Sequence, residues 1–231
     1  MKSFYLENTL EVGLDEAGRG PMLGRVYIGA VIIPPDDTFN QTFIKDSKKL
    51  SERKRLMAYD FIKDNAIDYT TFFYDEKVID EKNIFKATYD GMHKALDNLL
   101  VTPEHILVDG CYFKTYIKND IVIPHICVES GDNKYRSIAA ASIIAKVERD
   151  KYIYDLCDKN PELDEFYSIR TNKGYGTSKH IEGIKKNGIS IWHRKTFGIC
   201  KNYDEDILIT NNITLDEKLA EGAKHAIDLS I

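Results

Sequence analysis

Apolar positions along the 231-residue chain change period several times. Two β-rich runs, 9–14 and 26–33, flank the stretch Gly18-Arg19-Gly20-Pro21 and predict a hairpin-like strand pair with an unusually polar connection. Pro34-Pro35-Asp36-Asp37 closes the second run. Ser51 caps a predicted helix to about Asn65, with Leu56, Met57, Phe61 and Ile62 on its apolar face. A third strand is expected at 67–74, and Phe85, Met92, Leu96 and Leu99 then recur at helical spacing. Residues 105–108 predict a short buried strand ending at Asp109-Gly110, and 121–128 another. Asp132 or Asn133 opens a long helix to about Asp158. Its stretch 138–145 is apolar on every face and should be buried and tightly approached. A loop follows at Gly174-Tyr175-Gly176, then a helix over 178–186 ending at Gly188 and a last helix from about Leu215. This order predicts an α/β fold, a mixed β-sheet flanked by helices, with a C-terminal helical extension. Residues 1–200 are expected to form the catalytic domain, and 201–231 a partly helical acidic tail.

The composition, 43% hydrophobic and 30% charged, is that of an ordinary globular protein. No apolar run approaches the roughly 18 residues needed to cross a bilayer, and Glu7 interrupts the N-terminus before any apolar core, unlike a secretory signal. Cys111, Cys127, Cys157 and Cys200 lie far apart, which argues against a zinc site or a disulfide framework and for a reducing, cytoplasmic setting. The net charge of −5 conceals an asymmetry: residues 170–201 carry eight Lys or Arg and one acid, whereas 202–231 carry seven acids and two Lys. A basic segment of this kind suits a localised polyanion site, although a solvated helix face would look the same.

Candidate chemistry lies mainly in carboxylates at element ends. Asp15-Glu16 follows an apolar strand, where buried acids need a cation or hydrogen-bond donors. Neighbouring strand residues face opposite ways, so both can serve one site only if the strand breaks, as Gly18 and Gly20 would allow. Asp109 ends a buried strand, a place for a metal ligand or simply for an Asp-Gly turn. Asp132 precedes the Ala-rich helix, as a ligand or an N-cap. Converging carboxylates suit Mg²⁺, which prefers hard oxygen ligands, and a pair of such ions can activate a water and stabilise a leaving oxygen. Gly18-Arg19-Gly20 allows close backbone approach and offers a bidentate phosphate contact. Tyr175, held between glycines in a basic loop, can stack on a sugar or base, or can serve only in packing.

Together these blocks resemble the ribonuclease HII family. The resemblance rests on Gly13-Leu14-Asp15-Glu16-Ala17-Gly18-Arg19-Gly20-Pro21, Asp46-Ser47-Lys48-Lys49-Leu50-Ser51, Asp80-Glu81-Lys82-Asn83-Ile84 and Leu107-Val108-Asp109-Gly110. It continues in Gly131-Asp132 with the 137–147 run and Arg149-Asp150, in Gly174-Tyr175-Gly176-Thr177 with His180, and in His193-Arg194-Lys195-Thr196-Phe197. It implies a ribonuclease H-like fold and places four metal-binding catalytic acids on Asp15, Glu16, Asp109 and Asp132, with Mg²⁺ or Mn²⁺ in a two-metal site. Gly18, Arg19, Gly20 and Tyr175 fall where the family recognises the ribonucleotide and its 2′-hydroxyl, and Lys48 where it contacts phosphate. Departures from the usual pattern are Gly24-Arg25, Asn172 and Lys195-Thr196. The implied protein is a monomeric endonuclease acting on RNA–DNA hybrids and on ribonucleotides embedded in duplex DNA, leaving 3′-hydroxyl and 5′-phosphate ends. The alternatives are a related nuclease acting on DNA, for which Tyr175 and the Gly-Arg-Gly loop have no use, and a hybrid-binding protein without catalysis, for which four acids have none.

Overall fold

The structure is a computed structural model and describes residues 1–36, 38, 39, 44 and 50–203. Lys48 with the first part of its motif, the helix expected from Leu215 and most of the acidic tail lie outside the described residues. The strands are β1 (Glu11–Ala17), β2 (Val26–Ile32), β3 (Asp68–Tyr74), β4 (His105–Asp109), β5 (Tyr116–Lys118), β6 (Ile121–Ile123) and β7 (His125–Val128). The helices are α1 (Glu52–Asn65), α2 (Glu76–Lys82), α3 (Ile84–Asp97), α4 (Arg136–Lys159), α5 (Glu162–Tyr167), α6 (Ile169–Asn172) and α7 (Ser178–Asn187). The chain forms two compact units: residues 1–19 with 25–152, and residues 20–24 with the C-terminal part from 153.

In the first unit a five-stranded sheet runs in the order β3-β2-β1-β4-β7. β1 pairs antiparallel with β2 and β2 with β3, whereas β1 with β4 and β4 with β7 are parallel. The sheet is therefore mixed, as its alternation with helices implied. Strand alternation decides what each face meets. Gly13 and Gly29 face α4 so closely that a Cβ on Gly13 would lie 2.1 Å from the Ser137 carbonyl carbon, and one on Gly29 2.2 Å from the Ala141 oxygen. Ile28, one residue from Gly29, faces the other way and meets α3 at Gly91. The Ala-rich run of α4 is buried as expected: Ala139, Ala140, Ile143, Ile144 and Val147 join Val31, Ala58, Tyr59 and Ile62 in one apolar cluster.

Several expectations need correction. Ser51 does cap α1, accepting from Lys54 N–H, but α1 docks through Ala58, Tyr59 and Ile62, leaving Leu56 and Met57 42% and 48% exposed. The run 121–128 is two strands. Pro124 has no N–H to give a ladder, so β6 pairs with β5 in a separate hairpin while β7 joins the main sheet. The long helix starts at Arg136; Asp132 sits before it in a 3-10 turn, Gly131–Asn133, so it does not cap α4.

Arg25, which departs from the resembling family's pattern, lies between two rings, with its guanidinium carbon 4.0 Å from the Phe73 centroid and 4.4 Å from that of Tyr152. Stacking on both rings explains its tolerance at a strand start. In the second unit Asn172 Nδ2 donates to Tyr167 O and its Oδ1 accepts from Gly174 N–H. It thus shapes the turn before Tyr175 from within. The structure gives no account of Lys195-Thr196. Among the described residues no helix is long and apolar enough to cross a membrane, and none of the four cysteines forms a disulfide.

Candidate active site

The first unit gathers carboxylates around the ends of β1 and β4. β1 does not break at Asp15-Glu16: Asp15 pairs with Gly29, Glu16 with Ile28 and Ala17 with Tyr27. The two acids consequently face opposite sides of the sheet, against the expectation of a break. Asp15 shares the α4 face with Gly13 and Gly29. It is 4% exposed, accepts from the Glu16 N–H at 2.7 Å and is hydrogen-bonded by Ser142 of α4. Burial, then the charges of Glu16 and Asp109, push its pKa well above the ordinary carboxylate range, with the hydrogen bonds from Ser142 and Glu16 opposing.

Glu16, on the other face, accepts from Arg19 Nη1 at 3.0 Å, and the Arg19 guanidinium lies over the Phe85 ring at 5.1 Å. Asp109 ends β4, and its Oδ1 accepts from Gly131 N–H at 2.6 Å. That bond ties the strand end to the 3-10 turn carrying Asp132. Gly131 is fitted there, since a Cβ would lie 2.5 Å from Ile138 Cδ1. Asp132 is fully buried, and its Oδ1 accepts from Asn133 Nδ2 at 3.0 Å.

The donor set suits a hard divalent cation: all oxygen, with a buried carboxylate beside two like charges that a cation would offset. It is not a closed cage. Among the described residues, no three His, Cys, Asp or Glu side chains form a group that could hold an ion. The engagement of Glu16 with Arg19 across the strand is one visible reason.

The loop after β1 carries two roles. Gly18 has φ +96°, and a Cβ there would lie 2.2 Å from Arg149 Nε. Its glycine is thus required by the fold whatever it does for a substrate. Arg149 is 1% exposed and donates from Nε to Arg25 O at 3.1 Å, so it fastens the loop's far end. Sequence reasoning assigned Arg149 no role; its place in the quoted block after α4's apolar run was the available signal.

In the second unit, residues 20–24 are bound to the C-terminal segment. Met22 N–H donates to Gly174 O and Gly24 N–H to Trp192 O, both at 2.8 Å. Arg194, fully buried, donates to Gly24 O and Pro21 O at 2.8 Å each. It is therefore an internal clamp and leaves the group of basic residues expected to face a polyanion. Arg170 is committed to an ion pair with Asp158. Lys179, Lys185, Lys186, Lys195 and Lys201 are exposed. Tyr175 is 47% exposed, and its Cε1 would be 3.4 Å from a Cβ on Gly20. Gly20 and Tyr175 thus come together in this unit, while Gly18 and Arg19 belong to the unit holding the acids.

Comparison with known proteins agrees with the earlier resemblance. The family model described as Ribonuclease HII matches residues 12–200. A Ribonuclease HII of Phocaeicola vulgatus is 42% identical over 196 residues, 84% of this chain and 92% of that protein. One of Parabacteroides distasonis is 44% identical over 194 residues, again 84% and 92%. The crystal structure of the ribonuclease H2 from Pyrococcus horikoshii OT3 superposes with a TM-score of 0.70 at 27% identity, covering 83% of this chain and 95% of that one.

Proposed function

The chain belongs to the ribonuclease HII family of metal-dependent endonucleases, and on that premise we propose that it hydrolyses the RNA strand of RNA–DNA hybrids and cuts at ribonucleotides embedded in duplex DNA. The observation that carries this reading is the buried Asp15 beside the charges of Glu16 and Asp109, with Asp132 tied to Asp109 through the Gly131 amide. Asp15, Glu16, Asp109 and Asp132 would hold Mg²⁺ or Mn²⁺. When bound, such ions supply the charge that activates an attacking water and stabilises the leaving oxygen, giving 3′-hydroxyl and 5′-phosphate ends.

The protein's own groups prepare that chemistry. Ser142 and the Glu16 amide orient Asp15, and the Gly131 amide orients Asp109. The Arg19 guanidinium has the geometry to meet a phosphate bidentately. Backbone groups of Gly18 and Gly20 and the hydroxyl of Tyr175 read the 2′-hydroxyl, and Lys48 contacts phosphate. The wide separation of the four cysteines supports a cytoplasmic setting, and we take the protein to act as a monomer.

Three duplexes test the function: all DNA, DNA with one ribonucleotide, and an RNA–DNA hybrid. The all-DNA duplex should stay intact while the other two are cut. Cutting of all three at one rate would instead make this a DNA nuclease. On the singly substituted duplex under single-turnover conditions, Tyr175→Phe should slow cleavage and Tyr175→Ala should slow it further. A site built to bond a hydroxyl loses most when that bond is unmade. Both variants should fold, since the ring is exposed. Wild-type rates in both would remove Tyr175 from recognition.

Lys185 and Lys186 lie in the last turn of α7, where they also favour the helix dipole. If they meet phosphates, replacing both with Ala should flatten the log–log salt dependence of binding, by about 0.7–0.9 per lost contact. An unchanged slope would assign them to the helix end alone.

A further inference from the structure

Tyr175 is presented by a polar chain buried in the second unit, and the hydrogen atoms in that chain can be placed. Ser190 N–H donates to His193 Nδ1 at 2.9 Å. A backbone N–H can only donate, so Nδ1 is bare and the proton of His193 is on Nε2. That Nε2 lies 3.0 Å from His180 Nε2, which must then accept, leaving the proton of His180 on Nδ1. His180 Nδ1 in turn lies 3.0 Å from Tyr175 O and donates to it. Both rings are sealed, His180 at 0% and His193 at 1% exposure. Burial lowers the pKa of each, that of His193 to about 3. Because His193 Nδ1 and His180 Nε2 both accept, each ring is neutral, and only this pair of tautomers satisfies these contacts.

The chain ends on the backbone of one residue. Tyr175 O also accepts from Thr177 N–H at 2.8 Å, and Tyr175 N–H donates to Asn172 O at 3.0 Å. Flanked by Gly174 and Gly176, which resist rotation little, the Tyr175 peptide is fixed by these bonds while its ring stays exposed. Tyr167 packs edge-on against both imidazoles, with centroids 6.0 and 4.9 Å away, and excludes rotations that would break the sequence of bonds. Two buried imidazoles facing each other are an expensive way to fill space, since apolar side chains carry no desolvation cost.

We propose that His193 and His180 are positioning residues for ribonucleotide recognition: they relay the fixed Ser190 amide to the Tyr175 carbonyl and so set where the Tyr175 ring stands. The proposal rests on the reading of Tyr175 as the group that meets the ribose. It assigns different jobs to the two nitrogens of His180. Nδ1 acts on Tyr175, and Nε2 only selects the tautomer.

Side-chain amides separate these jobs. Asn places an N–H near the position of Nδ1, whereas Gln reaches the position of Nε2 and leaves Tyr175 O without that donor. On the singly ribo-substituted duplex, His180→Gln should slow single-turnover cleavage about tenfold, the scale of one hydrogen bond, while His180→Asn should recover most of the loss. In a Tyr175→Ala background the Gln change should add little, because the ring it positions is gone. Equal losses for Asn and Gln, or a Gln penalty that persists in full beside Tyr175→Ala, would make the pair a structural pin and overturn the proposal. Wild-type cleavage by Tyr175→Ala alone would overturn the reading of Tyr175, and the relay's purpose with it. The wild-type protein provides a check that does not depend on variants folding. Long-range ¹H–¹⁵N spectra should show neutral His180 protonated on Nδ1 and neutral His193 on Nε2; any other pair of tautomers rejects the relay.

Discussion

Asp109→Asn should lower cleavage of the singly ribo-substituted duplex on the order of a thousandfold, the scale of losing one preorganised charge from an active site, without unfolding the protein. The Asn side chain keeps an oxygen that can accept from Gly131 N–H, so the turn carrying Asp132 keeps its tie to β4. It loses the negative charge acting on Asp15. The free protein gains from this, because Asp109 is one of two like charges raising the pKa of Asp15 and its removal relieves repulsion in the folded state. The melting temperature in chelator should therefore equal or exceed that of the wild type. Cleavage should stay low at saturating Mg²⁺ and Mn²⁺. Wild-type turnover in the variant would exclude Asp109 from the catalytic set, and a collapsed melting temperature would show that its role is structural.

The second large effect concerns the two glycines beneath α4. Ala at Gly29 would set a methyl group 2.2 Å from the Ala141 oxygen, and Ala at Gly13 one 2.3 Å from the Ser137 oxygen. The obstructing atoms are helix backbone, so no rotamer change makes room and the helix itself must move. Each change should cost about 3 kcal/mol, the upper range for overpacking. For a protein of this size that is a fall of roughly 10 °C in melting temperature. The damage should reach the chemistry, because α4 also carries Ser142, which holds Asp15. A shifted α4 presents a misplaced carboxylate even in molecules that remain folded. Thermal melts of both variants, with cleavage rates below the transition, check this. Unchanged melting temperatures would mean that the contact between α4 and the sheet is looser than these distances.

The large elements were legible because their signals are local. Capping at Ser51, the apolar run 138–145 and the β-rich runs of β2 and β3 each fit within a short window. The three acids now linked on the α4 side, Asp15, Asp109 and Asp132, could be picked out as candidates at element ends. What could not be read depends on partners distant in the chain. No local signal shows that Glu16 turns away to Arg19, that Asp109 binds the amide before Asp132, or that Gly18 leaves room for Arg149. Arg194 shows the difficulty most clearly. Among neighbouring lysines it counts as surface charge, yet its partners are the carbonyls of Pro21 and Gly24. The break at Pro124 was legible in principle, since a proline inside a strand run is a known divider, and the run was read through it.

The fastening of residues 20–24 also bears on how the protein is made. Gly24 leaves the ribosome early, but the arginine that clamps it comes 170 residues later. At about 5–20 residues per second, that separation is a wait of roughly 8–34 s during synthesis. The β1–β2 hairpin can pair long before its connection has anything to hold. The connection over residues 21–24, among the first segments translated, is therefore among the last to acquire its final shape: a nascent chain carries Asp15 and Asp109 long before it carries the Arg194 that clamps Pro21 and Gly24.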